Sequence, residues 1–482
     1  MKRDIPTSRV QRVQKQSSSQ NTHTHTYIID VISGCNLSPL LFAIFICELG
    51  YILNSTGLGL NLQLVHIVAI LFADDLVVLV RNKKDLQKII KLVRKFFRIH
   101  RLEMSTSKSK IMTNDAEDIE RIFFPGVDGM DPIDLEAVCQ FKYLGVSLNC
   151  SPRHLFKDFN EQVKKRAAKY VASVISLSRA GPDRSSLAYT LWTSVALPSI
   201  LYGTEIIPLE KKTLDVLEKY NSQVGKFILQ LPQSSANVSS HIDAGLKPVW
   251  AIIAEKSLIY ARSVMTKDPG YWAKIAMGEN IQIGLDSPYI RQLCSWMQKC
   301  GTTIQAPIRI KKAVKKASIQ SILRQRTTTG VTCFAMNPPH SSSKIQSWFK
   351  PKNWISDSVF SKIIAQFRSC NSGLGNRAPA ADGKIYKLCP LCKEKGKFAL
   401  NNEVHLIIDC PDLELHRRAC GLGPFIRSYR AISRSISSLR LYSLFLNDSH
   451  NETMQLRAAD LYSMKVAWHS LTKIAMKSYE FK

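Results

Sequence analysis

Residues 67–80 read IVAILFADDLVVLV. Two adjacent carboxylates, Asp74 and Asp75, stand between two apolar, β-prone runs. Burial of those runs predicts two strands joined by a tight turn that holds the acids at a hairpin tip. Side by side, the two carboxylates repel each other unless something neutralises them. A hard cation such as Mg²⁺ does so through oxygen ligands. A pair of such ions can stabilise both the entering and the leaving oxygen of a phosphoryl transfer. An isolated Asp-Asp pair also reads as an ordinary turn, because Asp is common there. The flanking sequence decides between the two.

Upstream, residues 33–42 read SGCNLSPLLF and open an apolar stretch to Leu53 that suits a buried helix. Ser38 is the expected N-cap, with Pro39 in the first helical position. Downstream, Asn82 with Asp85 three residues on signals a helix start. Leu86, Ile89, Ile90, Val93, Phe96 and Phe97 give that helix one apolar face. Residues 102–110 read LEMSTSKSK, and residues 141–146, FKYLGV, predict a short hairpin turning at Gly145. Residues 157–230 read as three helices, parted by Gly181-Pro182-Asp183 and by the stretch around Tyr202-Gly203-Thr204-Glu205. Another helix is predicted over 248–266.

Taken together, these segments resemble the reverse transcriptases of non-LTR (LINE-type) retrotransposons, in order and spacing, over roughly residues 28–265. Phe72-Ala73-Asp74-Asp75 resembles the family's [Phe/Tyr]-x-Asp-Asp turn, and residues 33–42 its Gln-Gly-x-x-Leu-Ser-Pro-x-Leu-Phe segment. Ser33 stands where the family has Gln, and Ser105 where it has Asn. The resemblance implies an α+β fold: a partial palm with a β-hairpin active site, then a helical thumb. It implies Asp74 and Asp75 as Mg²⁺ ligands and catalytic residues, with Lys108 as an assistant to the pyrophosphate leaving group. Gly34, Ser38, Pro39 and Phe72 would line the nucleotide and template pocket. Tyr143, Leu144 and Gly145 would form the hairpin that grips the primer end. Residues 197–205, LPSILYGTE, are similar to a thumb segment of LINE-type enzymes. The implied partners are an RNA template, a DNA primer or target, and dNTP.

The family's third metal-binding carboxylate lies on an earlier strand. Asp4 and Asp30 are the only acids before Gly34, and neither fits that place. A chain truncated before that motif, lacking the fingers, is expected not to polymerise alone. The alternative is a non-catalytic nucleic-acid-binding remnant.

A second pattern lies near the other end. Cys389, Cys392, His405 and Cys410 give C-x₂-C-x₁₂-H-x₄-C. Four such ligands suit tetrahedral Zn²⁺, and with every position filled the site reads as structural. Gly396 and Asn401-Asn402 supply turn chemistry for the intervening loop, while His416 and Cys420 are spare candidates. With residues 371–377 (NSGLGNR) before it, the segment resembles the C-terminal zinc-binding domain of LINE-type polyproteins. About 70 residues follow, and Pro411-Asp412 alone predicts no nuclease.

The whole chain agrees with a polyanionic partner. Its 482 residues carry 66 Lys and Arg against 38 Asp and Glu, a net +28. That surplus exceeds what solubility alone asks for and gains affinity by releasing counterions from phosphates. An anionic membrane surface is the main rival partner. Residues 287–356 hold no Asp or Glu at all. Arg309, Lys311, Lys312, Lys315, Lys316, Arg324 and Arg326 interleave there with Tyr289, Trp296, Phe334, Trp348 and Trp354, a pattern that suits backbone tracking and base stacking. Residues 1–26 lack the apolar segment of a signal peptide, and Leu40 to Cys47 is too short to span a bilayer. The expectation is an intracellular protein of nucleus or cytoplasm, neither secreted nor transmembrane, with reduced thiols. The expected organisation is a polar disordered tail (1–26), a partial palm (27–155), a helical thumb (156–285), a basic nucleic-acid-contacting region (286–370), a zinc domain (371–420) and a helical tail (421–482).

Overall fold

The computed structural model describes residues 37–62, 65–113, 121–126, 129–151, 154–180, 183–304, 310–328, 356–369, 372, 374, 387–433, 436–446 and 451–479. The readings that rest on residues 1–36 (Gly34 among them), on Arg309, on Phe334, Trp348 and Trp354, and on most of 371–377 lie outside these. The chain folds as two compact units. One takes residues up to Met104 together with Phe124–Pro132; the other takes Ser105–Phe123 and Ile133–Lys482.

In the first unit, α1 (Ser38–Asn54) and α2 (Lys83–Ile99) bracket four short strands: β1 (Leu60–Leu62), β2 (Val65–Ile67), β3 (Ala69–Phe72) and β4 (Asp75–Val78). Helix α1 starts one residue earlier than its sequence suggests. Leu37 occupies the cap position with no side-chain cap, so Ser38 is already helical. The first helical bond, from the Leu41 amide to the Leu37 carbonyl at 3.1 Å, makes this choice. Helix α2 starts where expected. The Asn82 side chain accepts from the Asp85 amide at 2.9 Å and donates to the Asp85 carboxylate at 2.8 Å. These reciprocal bonds satisfy an otherwise orphaned amide. Leu49 and Leu53 of α1, Ile89, Val93 and Phe96 of α2, and Val68 form a shared core. That core anchors the antiparallel β3–β4 pair, whose register runs from Ala69↔Val78 to Phe72↔Asp75.

The second unit opens with a small sheet ordered β5 (Lys110–Ile111), β7 (Ile133–Ala137), β6 (Arg121–Phe124). An antiparallel hairpin of β8 (Gln140–Tyr143) and β9 (Val146–Asn149) follows. Leu144 and Gly145 both turn through positive φ, +46° and +82°. That is the backbone a two-residue hairpin loop requires. Helices α3 (Lys157–Ala180), α4 (Arg184–Leu191), α5 (Leu197–Ile200), α6 (Lys211–Ile228), α7 (Val238–Ile242) and α8 (Val249–Met265) come next. A π-helical turn, Trp192–Ala196, joins α4 to α5, so the expected middle helix is one bent element. The Trp192 indole donates to Asn221 at 2.8 Å and fixes that bend against α6.

After α9 (Trp272–Ile283), α10 (Pro288–Cys300), α11 (Ile310–Thr328) and α12 (Ser356–Arg368), the chain forms α13 (Pro390–Glu394). It ends in α14 (Glu414–Ala419), α15 (Leu422–Ile432), α16 (Ser438–Phe445) and α17 (Asn451–Tyr479). One continuous apolar core runs from Phe159 of α3 through Trp250 of α8 and Phe367 of α12 to Leu406, Tyr442 of α16 and Trp468 of α17. A buried ion pair bolts these parts together. Arg368 meets Asp243 at 2.8 Å, with both side chains almost fully enclosed, and donates to the Leu446 carbonyl at 2.9 Å. No helix among the described residues is long and apolar enough to cross a membrane.

Candidate functional sites

The Asp-Asp turn is a two-residue loop at the end of β3–β4. Ala73 sits at φ +51°, the left-handed region. A side chain there costs on the order of 1 kcal/mol, and the flanking strand pairs hold it. Phe72, Asp74 and Asp75 all lie exposed at this tip. Among the described residues, no hydrogen bond or ion pair engages either carboxylate. Two adjacent exposed carboxylates without a protein cation have the oxygen-donor chemistry that a divalent metal takes. Phe72, Asp74 and Asp75 therefore stand together, as do Ser38 and Pro39 at the start of α1. Lys108, Tyr143, Leu144, Gly145 and the Cys/His positions belong to the second unit. Lys108 is exposed on a tight turn closed by the Ser109 amide and hydroxyl on the Ser105 carbonyl, at 3.0 and 2.8 Å.

Tyr143, Leu144 and Gly145 form the β8–β9 turn, which leans on the helices that follow. Gln162 of α3 donates to the Gly145 carbonyl at 3.2 Å. A Cβ on Gly145 would meet the Tyr202 ring at 3.3 Å, and one on Gly203 would meet Phe159 at 3.3 Å and Val146 at 3.4 Å. Gly203 itself takes φ +86°. The FKYLG (141–145) and LYG (201–203) segments, far apart in sequence, are thus one packed corner.

The four cysteine and histidine positions converge. Their ligand atoms all lie within 4.8 Å of one another. Cys392 Sγ is 3.3 Å from His405 Nε2 and 3.8 Å from Cys410 Sγ. Tetrahedral zinc, with Zn–S near 2.3 Å and Zn–N near 2.0 Å, sets ligand atoms roughly 3.5–3.8 Å apart. A disulfide would need about 2.05 Å. The donor set and its spacing therefore fit zinc. The three thiols are buried and share protons unevenly. Hydrogen bonds from Cys389 and then His405 pull Cys410 down to about 4. The bond to Cys410, and then burial, raise the Cys389 thiol well above its ordinary value. Burial pushes Cys392 up to about 11. A cation in place of these protons would let all three ionise.

The loops build the cluster as the turn chemistry suggests. Gly396 takes φ +69°, an antiparallel bridge joins Leu388 to Leu400, and Asn402 caps the His405 amide at 2.8 Å. The spare candidates fall outside the cluster: the Cys420 thiol faces the Arg417 carbonyl at 3.6 Å. Sequence reading missed the brace beneath it. Buried Arg417 donates to the carbonyls of Leu406 and Cys410 and to Glu414. It thereby fixes the segment that carries His405 and Cys410. Nothing in the local sequence sets Arg417 apart from its neighbour Arg418, which is exposed.

The basic stretch divides. Lys311, Lys312, Lys315 and Lys316 all lie exposed on α11, while Val314, Ser318 and Ile322 face inward. Two of the interleaved aromatics do not serve as exposed stacking surfaces. Trp296 is buried and stacks on Trp250 at 6.2 Å, and burial raises the Tyr289 phenol well above its ordinary value. Their spacing along α10 is core periodicity, which composition alone cannot tell from a stacking platform.

Residues 5–148 match a family model described as Reverse transcriptase (RNA-dependent DNA polymerase). The match begins inside the stretch read as a polar tail and ends in β9, so it covers the Asp74–Asp75 turn, Lys108 and the β8–β9 hairpin. It supports reverse transcriptase function for this segment, with nucleic acids as substrates and Mg²⁺ as the customary cofactor. The helices from α3 onward and the Cys/His cluster lie beyond the match.

Proposed function

We propose that this chain carries the later part of an RNA-directed DNA polymerase of the non-LTR (LINE) type: palm elements, a helical thumb, a basic helical region and a zinc-stabilised C-terminal part. The observation that carries the reading is the strained Ala73 turn presenting Asp74 and Asp75 inside the matched segment. In this reading Asp74 and Asp75 hold Mg²⁺. When bound, the metal supplies charge neutralisation for attack of a primer 3′-hydroxyl on a dNTP. Lys108 offers a cation to the leaving pyrophosphate. The β8–β9 turn, backed by Gln162 and Tyr202, holds the primer end against the thumb. Cys389, Cys392, His405 and Cys410 hold a structural Zn²⁺.

A second reading, nucleic-acid binding without catalysis, is favoured by the exposed lysine face of α11. It needs neither carboxylate. RNA-templated primer extension with Mg²⁺ and dNTPs separates the two, and extension would also overturn the expectation that the chain does not polymerise alone. Extension abolished by Asp74→Asn supports the enzyme. RNA binding with a steep salt slope, unaffected by that substitution and without extension, supports the binder.

A further inference from the structure

A cavity of about 370 Å³ opens where the end of α3, the start of α4 and the turn after α6 meet α12. Arg179, Arg184 and Lys362 line it, with Phe227, Gln230 and Gln366. Among the described lining residues there is no carboxylate. Three cations from three separate helices thus share one concavity with no acid among them, an arrangement that repels itself unless an anion enters.

The local detail points the same way. The Arg184 guanidinium lies over the Phe227 ring at 3.9 Å, with Arg179 5.9 Å from the same ring. Stacking fixes the plane of Arg184 and leaves its edge donors to be used. Its Nε is sealed from solvent and has no hydrogen-bond partner, a costly state for a donor. Burial, and then the neighbouring Arg179, also lower the proton affinity of Arg184. Gln230 follows Leu229, the cap residue of α6, at φ +55°, a place where glycine would be free of strain. The chain keeps a side-chain amide there, on the cavity wall. Lys226, a neighbouring cation on α6, is already engaged, donating to the Gln233 carbonyl at 2.8 Å.

We propose that this cavity seats a phosphate group of a nucleic-acid strand. Arg179 and Arg184 would supply the planar forks that match phosphate oxygens, Lys362 a point charge, and Gln230 and Gln366 neutral donors. The cavity exceeds a single phosphate, so the attached sugar or base has room beside Phe227. The assignment rests on the nucleic-acid reading above and gives it a defined anchor at the junction of the thumb helices with α12.

The test uses the full 482-residue chain and a short fluorescent single-stranded RNA, titrated by anisotropy over a range of salt. Lys362→Glu, at an exposed residue, keeps the fold and places a carboxylate at the site. Arg179→Gln with Arg184→Gln, checked by circular dichroism, removes the forks. Lys169→Glu, on the exposed surface of α3, matches the charge change elsewhere. Both cavity variants are expected to weaken binding on the order of tenfold. The slope of log K against log salt should fall by about 0.7 for the lost contact. Lys169→Glu should change little by comparison. Equal binding of 5′-hydroxyl and 5′-phosphate RNA identifies a backbone phosphate, and tighter binding of the 5′-phosphate form identifies a terminal one; each upholds the assignment. Cavity variants no weaker than Lys169→Glu overturn the assignment and leave the nucleic-acid reading standing. Failure of the unsubstituted chain to bind RNA overturns both.

Discussion

At the residue scale, Asp74 and Asp75 were legible because their neighbours are informative. Apolar β-prone runs on both sides predict the hairpin, and the hairpin makes an acidic pair into a presented pair. The four zinc-type ligands were legible for a similar reason: a two-residue gap, a loop and a second pair encode proximity directly. Arg417, Arg179, Arg184 and Lys362 were not legible. Arg417 is held by backbone carbonyls 7 and 11 residues back, the cavity residues meet only through the packing of separate helices, and a basic residue in a chain of net charge +28 carries no local signal. The zinc assignment makes a plain prediction. Purified chain should hold about one equivalent of zinc by elemental analysis. Cys410→Ser should drop that below half an equivalent and lower the melting temperature, because metal binding contributes directly to folding in such sites. Full zinc content in Cys410→Ser would rule out this ligand set.

At the element scale, the periodic segments emerged close to their expected limits. Helix α2 begins at its Asn82–Asp85 cap, α8 spans Val249–Met265, and the FKYLGV hairpin turns at Leu144-Gly145. The departures have physical causes. The π-helical turn at Trp192–Ala196 follows from the buried Trp192–Asn221 bond, a tertiary contact. The aromatics of α10 turn inward because Trp296 stacks with Trp250. The corner between the β8–β9 hairpin and the turn after α5 offers a test at this scale. Gly203→Ala puts a Cβ in the left-handed region and against Phe159. It should destabilise the fold by about 1–2 kcal/mol, read as a lower midpoint of denaturant unfolding. An unchanged midpoint would show that this corner is not held by close packing.

At the scale of the whole molecule, the second unit has one core from α3 to α17. The sequence suggested a thumb, a basic region, a zinc domain and a helical tail as successive parts, since composition shifts mark them. The structure joins them through contacts that composition does not record. Arg368 of α12 reaches Asp243 beside α7 and the Leu446 carbonyl after α16. Glu403, next to the zinc-type cluster, accepts from the Ser372 amide at 3.2 Å and meets the Tyr442 hydroxyl at 3.0 Å. Removing Arg368 strands a buried carboxylate, which costs about 3–5 kcal/mol. Arg368→Met should therefore unfold at markedly lower temperature. The loss has a pH signature. Burial, against the opposing pull of Arg368, raises the Asp243 carboxyl above its ordinary value. A group raised on folding favours the folded state below its unfolded pKa and loses that favour as pH rises through the folded one. The destabilisation in Arg368→Met should thus be greatest at neutral pH and shrink on acidification. A pH-independent loss would contradict the buried-charge account.

The central claim, that Asp74 and Asp75 form a divalent-metal site of reverse transcriptase type, is tested most directly by metal-directed cleavage. Fe²⁺ substituted for Mg²⁺, with ascorbate and peroxide, cuts a polypeptide where the ion is held. The account predicts cuts clustered at the β3–β4 turn, suppressed by excess Mg²⁺ and absent from the Asp74→Asn, Asp75→Asn double variant. Cleavage elsewhere only, or cuts at the turn that persist in the double variant, would contradict it.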